Sequence, residues 1–215
     1  MTGARTADPP ATPGRLGILL SGRGSNFLAL QAAIARGALP AVTALVVSNV
    51  AGAPGVVRAA ELGLPTACLP AADYRDRGAQ EEAILAALAA HDVEWVCLAG
   101  FMRLLSSRFL AAFPQRVLNI HPSLLPAFPG LHAQRQAIAH GVRVSGCTVH
   151  FVDAGLDSGP IVLQRTVPVH DDDDEAALAA RILEQEHQAY PEALRRLLTE
   201  PWRVEGRRVV FAPAR

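Results

Sequence analysis

The chain has 215 residues, with 20 basic and 20 acidic side chains, so its formal net charge is zero, and half of its residues are hydrophobic. Because nucleic-acid-binding proteins usually carry a basic surface, this balance argues against a nucleic-acid partner. No apolar run approaches the roughly 18 residues of a membrane span, and the first residues lack the apolar core of a signal peptide. We therefore expect a cytoplasmic protein that does not bind membranes.

The first half of the chain predicts short apolar strands that alternate with helices. The predicted strands cover residues 16–20, 41–49, 65–70, 93–100 and 116–120. Helical stretches follow each of the first four strands: one from Phe27, then 53–62, 80–90 and 106–113. Strands that read as continuous apolar runs between helices are typical of a parallel sheet covered on both faces.

The second half changes character. A helix is predicted over 133–140, two alternating strands over 144–153 and 160–169, a long amphipathic helix over 171–198, and a terminal hairpin over 202–211. The prediction is an α/β protein with a mainly parallel sheet and an antiparallel C-terminal part. Residues 1–14, rich in Pro, Ala and Thr, are predicted to be a disordered tail, and residues 15–215 a single domain.

The cysteines and histidines do not suggest a metal site. Cys68, Cys97 and Cys147 are far apart and form no CxxC pair, and the seven histidines form no HExxH pair. Cys97 lies in an apolar run and is predicted to be a core residue. The chain contains no lysine, which excludes Schiff-base chemistry.

The stretch "SGRGSN", residues 21–26, follows the first predicted strand and opens a helix. Its glycines would let backbone amides approach an anion at the helix N-terminus. The dinucleotide fingerprint fails, because Phe27 stands at its third glycine and Ser48-Asn49 replace the acid that would hold a ribose. Two interpretations remain open from spacing alone, a small phosphate cradle and a plain glycine turn.

The stretch "NIHPS" places Asn119 and His121 two residues apart on a predicted strand, so their side chains leave the same face. Pro122 restricts His121 to an extended conformation. An amide beside a titratable imidazole suits an oxyanion developing on a carbonyl. The alternative is a histidine that caps a loop.

The stretch "GLDSG" places Asp157 between glycines, after a predicted strand. A carboxylate beside an imidazole would keep that ring protonated near neutral pH, and the alternative is an Asx turn. The acid run Asp171–Asp174 lacks the ligand spacing of a calcium loop and is better explained by a helix N-terminus.

Taken in order, "SGRGSN", "LAGFMRLLS", "LNIHPSLLPAFPGLHAQRQAI", "GCTVHFVDAGLDSGPIVLQ" and "EQEHQAYPEAL" resemble the phosphoribosylglycinamide formyltransferases. The resemblance runs from about Leu16 to Phe211. It implies the Rossmann-like three-layer α/β/α formyltransferase fold, and a monomer or weak homodimer. It also implies formyl transfer from 10-formyltetrahydrofolate to the amine of 5'-phosphoribosylglycinamide, in purine biosynthesis and without a metal.

The resemblance also implies roles for particular residues. The catalytic trio would be Asn119, His121 and Asp157. The ribonucleotide would meet Gly24, Ser25, Asn26 and Glu186, although Leu183 stands where some members have a basic residue. The folate would meet Arg77, Met102, Arg103, Leu104, Leu105, Asn119 and His150, with Arg75 as the alternative to Arg77.

Three alternatives share part of these features. A formyltetrahydrofolate hydrolase uses a similar trio but usually carries an N-terminal regulatory domain, for which we expect no room before residue 16. A methionyl-tRNA formyltransferase usually has a further C-terminal domain and a basic surface. A non-catalytic phosphosugar- or folate-binding module would keep "SGRGSN" but would not need the trio.

Overall fold

The structure is a computed structural model that describes residues 12–212. The chain divides into two compact units, with the boundary between Asn119 and Ile120. The predicted disordered tail falls mainly on residues 1–11, which lie outside the described residues. The prediction of a single domain over 15–215 stays a prediction.

The first unit, residues 12–119, has a parallel sheet with strand order β3-β2-β1-β4-β5. The strands are β1 (Gly14–Leu20), β2 (Ala41–Ser48), β3 (Thr66–Cys68), β4 (Trp95–Leu98) and β5 (Val117–His121), which runs past the boundary. The helices are α1 (Ser25–Ala35), α2 (Pro54–Glu61), α3 (Arg77–Ala90) and α4 (Ser107–Ala112), with a 3-10 turn at Ala71–Asp73. Nearly all residues of β1, β2 and β4 are buried, which explains their continuous apolar sequences.

The second unit, described from residue 120 to 212, has strands in the order β6-β7-β9-β8. Its elements are α5 (Ala133–Ala139), β6 (Val144–Phe151), β7 (Ile161–Pro168), α6 (Glu175–Thr199), β8 (Trp202–Glu205) and β9 (Arg208–Phe211). β6 and β7 are antiparallel, as are β8 and β9. The predicted fold class, mainly parallel with an antiparallel C-terminal part, is confirmed.

The helix α3 begins at Arg77, three residues earlier than the sequence predicted. The reason is the Asp76 side chain, which accepts a hydrogen bond from the Ala79 amide at 2.8 Å and caps the helix. The predicted core position of Cys97 is confirmed, since its side chain is fully buried. No helix within residues 12–212 combines the length and apolar composition needed to cross a membrane.

The acid run before α6 caps and pairs within its own unit. Asp174 accepts a hydrogen bond from the Ala177 amide at 2.7 Å and caps α6, which begins at Glu175, four residues later than the predicted start at Asp171. The predicted position of the acid run at a helix N-terminus is confirmed. Asp173 forms two charge-assisted hydrogen bonds with Arg181, at 2.6 and 2.8 Å. Hydrogen bonds from the Arg181 guanidinium and, with a smaller effect, from the His170 amide lower the pKa of Asp173 to about 2.

This pKa predicts an acid-dependent contribution to stability. A carboxyl whose folded pKa is about 2, below its ordinary 3.8, stabilises the fold above pH 3.8 and loses that effect as the pH falls towards 2. We expect Asp173→Asn to lower the Tm at pH 7, and the Tm difference from wild type to shrink below about pH 4.

Thermal unfolding followed by circular dichroism between pH 7 and pH 3 measures this difference. Asp172→Asn is the matched control, because it removes the neighbouring acid and leaves the pair with Arg181 intact. A Tm deficit of Asp173→Asn that stayed constant over the whole range would contradict the proposed linkage.

Candidate active site

The strand β5 carries both residues of the predicted Asn-x-His pair. Asn119 and His121 are alternate residues of one strand, so their side chains leave the same face. Asn119 is half-buried, and His121 is only 5% exposed. Pro122 follows directly, and His121 is still within the strand, as its extended conformation requires.

Both ring nitrogens of His121 face oxygen atoms. Nε2 lies 2.8 Å from the carbonyl oxygen of Phe128, and Nδ1 lies 3.5 Å from Oδ2 of Asp157. A carbonyl can only accept, so Nε2 carries a hydrogen in this arrangement. A neutral ring has one N–H group, whereas the doubly protonated ring can donate towards both oxygens.

The Asp157 carboxylate lies between two imidazoles. Its Oδ2 accepts a hydrogen bond from the Gly130 amide at 2.8 Å, and its Oδ1 lies 3.7 Å from Nε2 of His150. Asp157 has φ 49°, a left-handed conformation that aspartate tolerates better than most side chains. His121 and Asp157, predicted from separate motifs, are thus brought together, and His150 joins them.

His150 is almost completely buried, at 2% exposure. Its Nδ1 lies 2.9 Å from the Phe151 carbonyl oxygen. Burial lowers the pKa of His150, against the opposing effects of the Phe151 carbonyl and the Asp157 carboxylate, so the neutral ring is favoured. The role in folate binding implied for His150 stays a prediction.

A polar network that the sequence did not predict supports the loop after His121. The Ser123 hydroxyl donates to the Ala127 carbonyl at 2.6 Å, and the Thr148 hydroxyl donates to the Ser123 carbonyl at 2.6 Å. Thr148 also accepts from the Leu125 amide at 3.0 Å, and Gln164 donates to the Leu125 carbonyl at 2.8 Å. The available signal was that Thr148 and Gln164 are polar residues on predicted neighbouring strands.

The loop 152–159, which carries Asp157, is closed at its base by the backbones of Phe151 and Gly159 and is crossed by hydrogen bonds of Asp153. A Cβ on Gly159 would lie 1.9 Å from the Phe151 carbonyl oxygen, so no side chain fits there. Across the loop, Asp153 accepts hydrogen bonds from the Ser158 hydroxyl at 2.7 Å and the Gly155 amide at 3.1 Å. These contacts restrain the backbone on both sides of Asp157.

In the first unit, the stretch 21–26 forms a tight loop before α1. Gly24 has φ 70° and caps the helix, and Ser25 and Asn26 form its first residues. The Gly55 amide, at the start of α2, donates to the Gly22 carbonyl at 3.0 Å, and the missing Cβ on Gly55 allows this approach. The first turn of a helix presents backbone N–H groups that suit an anion.

The loop after β4 exposes two large apolar side chains, Met102 at 71% and Leu104 at 61%. The first turns of α3 hold this loop. Arg77 donates to the Leu104 carbonyl, Gln80 accepts from Arg103, and Glu81 accepts from the Ser106 amide at 2.9 Å. Leu105 is half-buried, and Arg75 instead pairs with Asp76 at 3.2 Å in a mostly exposed position. Of the two arginines, Arg77 is the one that the described residues show in a hydrogen bond with the stretch 102–105.

Glu186 is buried in α6, and Leu183, three residues earlier, is half-buried. The negative charge of Glu186 acts on Cys147 of β6. Burial raises the pKa of the Cys147 thiol to about 12, and the Glu186 carboxylate adds to this effect. Within residues 12–212 no group of three or more His, Cys, Asp and Glu side chains is arranged to hold a metal ion.

Comparisons with known proteins agree over most of the chain. The family model described as Formyl transferase matches residues 15–194. The phosphoribosylglycinamide formyltransferase of Mycobacterium tuberculosis is 46% identical over 200 residues, which cover 93% of this chain and 92% of that protein. The crystal structure of glycinamide ribonucleotide transformylase 1 from Symbiobacterium toebii has a TM-score of 0.91 and 48% identity, covering 94% of this chain and 95% of that one.

Two further comparisons bear on the scope of the resemblance. The trifunctional purine biosynthetic protein adenosine-3 of Drosophila melanogaster is 45% identical over 186 residues, and the chain spans 14% of its length. A formyltetrahydrofolate deformylase from Pseudomonas syringae has a TM-score of 0.86 but only 25% identity, and 66% of its chain is covered. Because the family model covers most of the chain and the mycobacterial relative nearly all of it, this chain belongs to the formyl transferase family.

Proposed function

We propose that this chain transfers the formyl group of 10-formyltetrahydrofolate to the glycinamide amine of 5'-phosphoribosylglycinamide, in purine biosynthesis. The observation that carries the proposal is the buried His121, 3.5 Å from the Asp157 carboxylate, in a chain that is similar over 93% of its length to a phosphoribosylglycinamide formyltransferase. The proposal includes a cytoplasmic location, a monomer or weak homodimer, and chemistry that needs no metal. The hydrolase alternative is less favoured, because the deformylase is the more distant relative.

The proposed reaction begins when the amine nitrogen attacks the formyl carbon. A tetrahedral intermediate forms, and the amide of Asn119 and the protonated ring of His121 stabilise its oxyanion. The bond between the formyl carbon and the folate nitrogen then breaks. The attacking amine loses a proton, and the departing nitrogen gains one through His121 or a water molecule. The products are the formylated ribonucleotide and tetrahydrofolate.

The role of Asp157 in this scheme is electrostatic. Its negative charge favours the protonated form of a nearby imidazole, and it can position a water molecule for the proton transfer. In the ligand-free arrangement the Nε2 hydrogen of His121 faces the Phe128 carbonyl. The proposal therefore includes a change of partner, in which the substrate oxygen replaces that carbonyl when the substrates bind.

The proposed contacts with the substrates follow the family resemblance. The loop residues Gly24, Ser25 and Asn26 would take the phosphate, supported by their place at the start of α1. Glu186 would meet the ribonucleotide. By the same resemblance, the folate would meet Met102, Arg103, Leu104, Leu105, Asn119 and His150, and its acidic tail would meet Arg77.

The test of the proposed function is formyl transfer from 10-formyltetrahydrofolate, measured with and without 5'-phosphoribosylglycinamide. We expect folate turnover only when the ribonucleotide is present, with one formylated ribonucleotide formed for each tetrahydrofolate. Turnover without the ribonucleotide would instead identify a hydrolase. Binding of either ligand with no turnover would identify a non-catalytic module.

The first variant is His121→Ala. A positioned acid-base group contributes roughly 10²- to 10⁴-fold to rate, so kcat should fall by at least about 100-fold. Steady-state kinetics with both substrates measures the loss, and circular dichroism checks that the variant is folded. His170→Ala is a suitable control, because it removes an exposed histidine of the same unit. A near wild-type kcat for His121→Ala would show that the assignment is wrong.

The second variant, Asp157→Asn, tests the electrostatic coupling. Removing a negative charge 3.5 Å from the ring makes the protonated imidazole less favourable. We expect kcat to fall by about 10-fold or more, because the neutral amide no longer stabilises the positive charge of the ring. Steady-state kinetics with both substrates measures the loss. A near wild-type kcat would speak against the coupling.

Variants of Arg77 and Arg75 separate the two arginines that could meet the folate tail. Arg77→Ala should raise the KM for the formyl folate by about 10-fold or more, because a charged hydrogen bond to the acidic tail is lost, whereas Arg75→Ala should change it little. A pteroate analogue without the glutamate tail supplies the internal control. The effect of Arg77→Ala should largely disappear with this analogue, and an equal effect on both donors would mean that Arg77 acts only through the loop.

A further inference from the structure

Ser21 joins three segments at the carboxyl end of the parallel sheet. Its hydroxyl donates to Oδ1 of Asn49, just after β2, at 2.6 Å. The same hydroxyl accepts from the Met102 amide at 2.9 Å, and the Ser21 amide donates to the Gly100 carbonyl at 3.1 Å. Residue 21 directly follows β1, so the ends of β1, β2 and β4 are linked through one short side chain.

The direction of each hydrogen bond at Ser21 is fixed by the chemistry of its partners. A hydroxyl has one hydrogen to donate and two lone pairs. The Met102 amide can only donate, so it occupies a lone pair, and the hydrogen is left for the Asn49 oxygen. The Met102 amide would lose this acceptor if the hydroxyl were removed.

The two loops joined by Ser21 have separate tasks in the proposed function. The stretch 22–26 begins immediately after Ser21 and would hold the phosphate of the ribonucleotide. Met102 opens the stretch 102–105, which would line the folate. The Gly55 amide also donates to the Gly22 carbonyl at 3.0 Å. The start of the ribonucleotide loop is therefore held both by α2 and by Ser21.

We propose that Ser21 is a positioning residue that couples the ribonucleotide loop to the folate loop. The inference rests on the proposed function, because each loop must bind its own substrate. When one ligand orders its loop, the shared hydroxyl restricts the other loop, and the second ligand meets a smaller entropic cost. The coupling must be reciprocal, because each ligand changes the affinity of the other by the same factor.

The experiment measures this factor in a complex that cannot react. Isothermal titration gives the Kd of 5'-phosphoribosylglycinamide with and without saturating tetrahydrofolate, and the Kd of tetrahydrofolate with and without the ribonucleotide. In the wild-type protein we expect each ligand to tighten the other by about 5-fold or more. In Ser21→Ala the ratio should fall to about 1, and each ligand alone should bind a few-fold more weakly.

Two further variants separate coupling from general damage. Ser21→Thr keeps a hydroxyl on the same carbon and should restore most of the coupling ratio. Ser107→Ala removes an exposed serine at the start of α4 and should leave the ratio at its wild-type value. Amide hydrogen exchange of the ligand-free protein adds a readout without substrates, since the Met102 amide should exchange faster in Ser21→Ala than in the wild type.

The outcomes distinguish the inference from the proposed function. An unchanged coupling ratio in Ser21→Ala, or a weaker affinity for one ligand only, would overturn the inference even in an active enzyme. Binding of both ligands without formyl transfer would overturn the proposed function, while a ratio lost in Ser21→Ala and restored in Ser21→Thr would still support the coupling. A wild-type protein that bound neither ligand would overturn both.

Discussion

The Asp157 carboxylate connects three segments of the second unit, and the arrangement of the candidate active site depends on it. One oxygen holds the Gly130 amide and faces the His121 ring, and the other faces His150. Burial lowers the pKa of His150 and so favours its neutral form. The negative charge of Asp157 is therefore available mainly to His121, which is the ring that the proposed mechanism needs in its protonated form.

The sequence predicted the strands of the sheet well, because the apolar pattern that identifies each strand lies within the strand itself. Continuous apolar strands such as β1 and β4 are recognisable without knowledge of their neighbours, and their burial follows from helices that cover a parallel sheet. Helix starts were less accurate. The Asp76 cap moved the start of α3 to an earlier residue, and the Asp174 cap moved the start of α6 to a later one.

The candidate site was only partly predictable for a physical reason. Asn119 and His121 share a strand, so their common face follows from the period of two. The approach of Asp157 is a contact between residues far apart in sequence, and the motif resemblance supplied it before the geometry did. Hydrogen bonds to backbone groups, such as His121 to the Phe128 carbonyl and Asp157 to the Gly130 amide, cannot be predicted from the type of the partner residue, because every residue has a backbone carbonyl.

The closed base of the loop 152–159 has a consequence for how formyl transferases can vary. The Phe151 and Gly159 backbones are in contact, and Asp153 ties the loop to itself through Ser158. Residues at the tip, such as Ala154 and Leu156, can be exchanged without moving the base. An insertion between Asp157 and Gly159 would rotate the carboxylate away from His121. We therefore expect the two positions that follow Asp157 to tolerate no change of loop length.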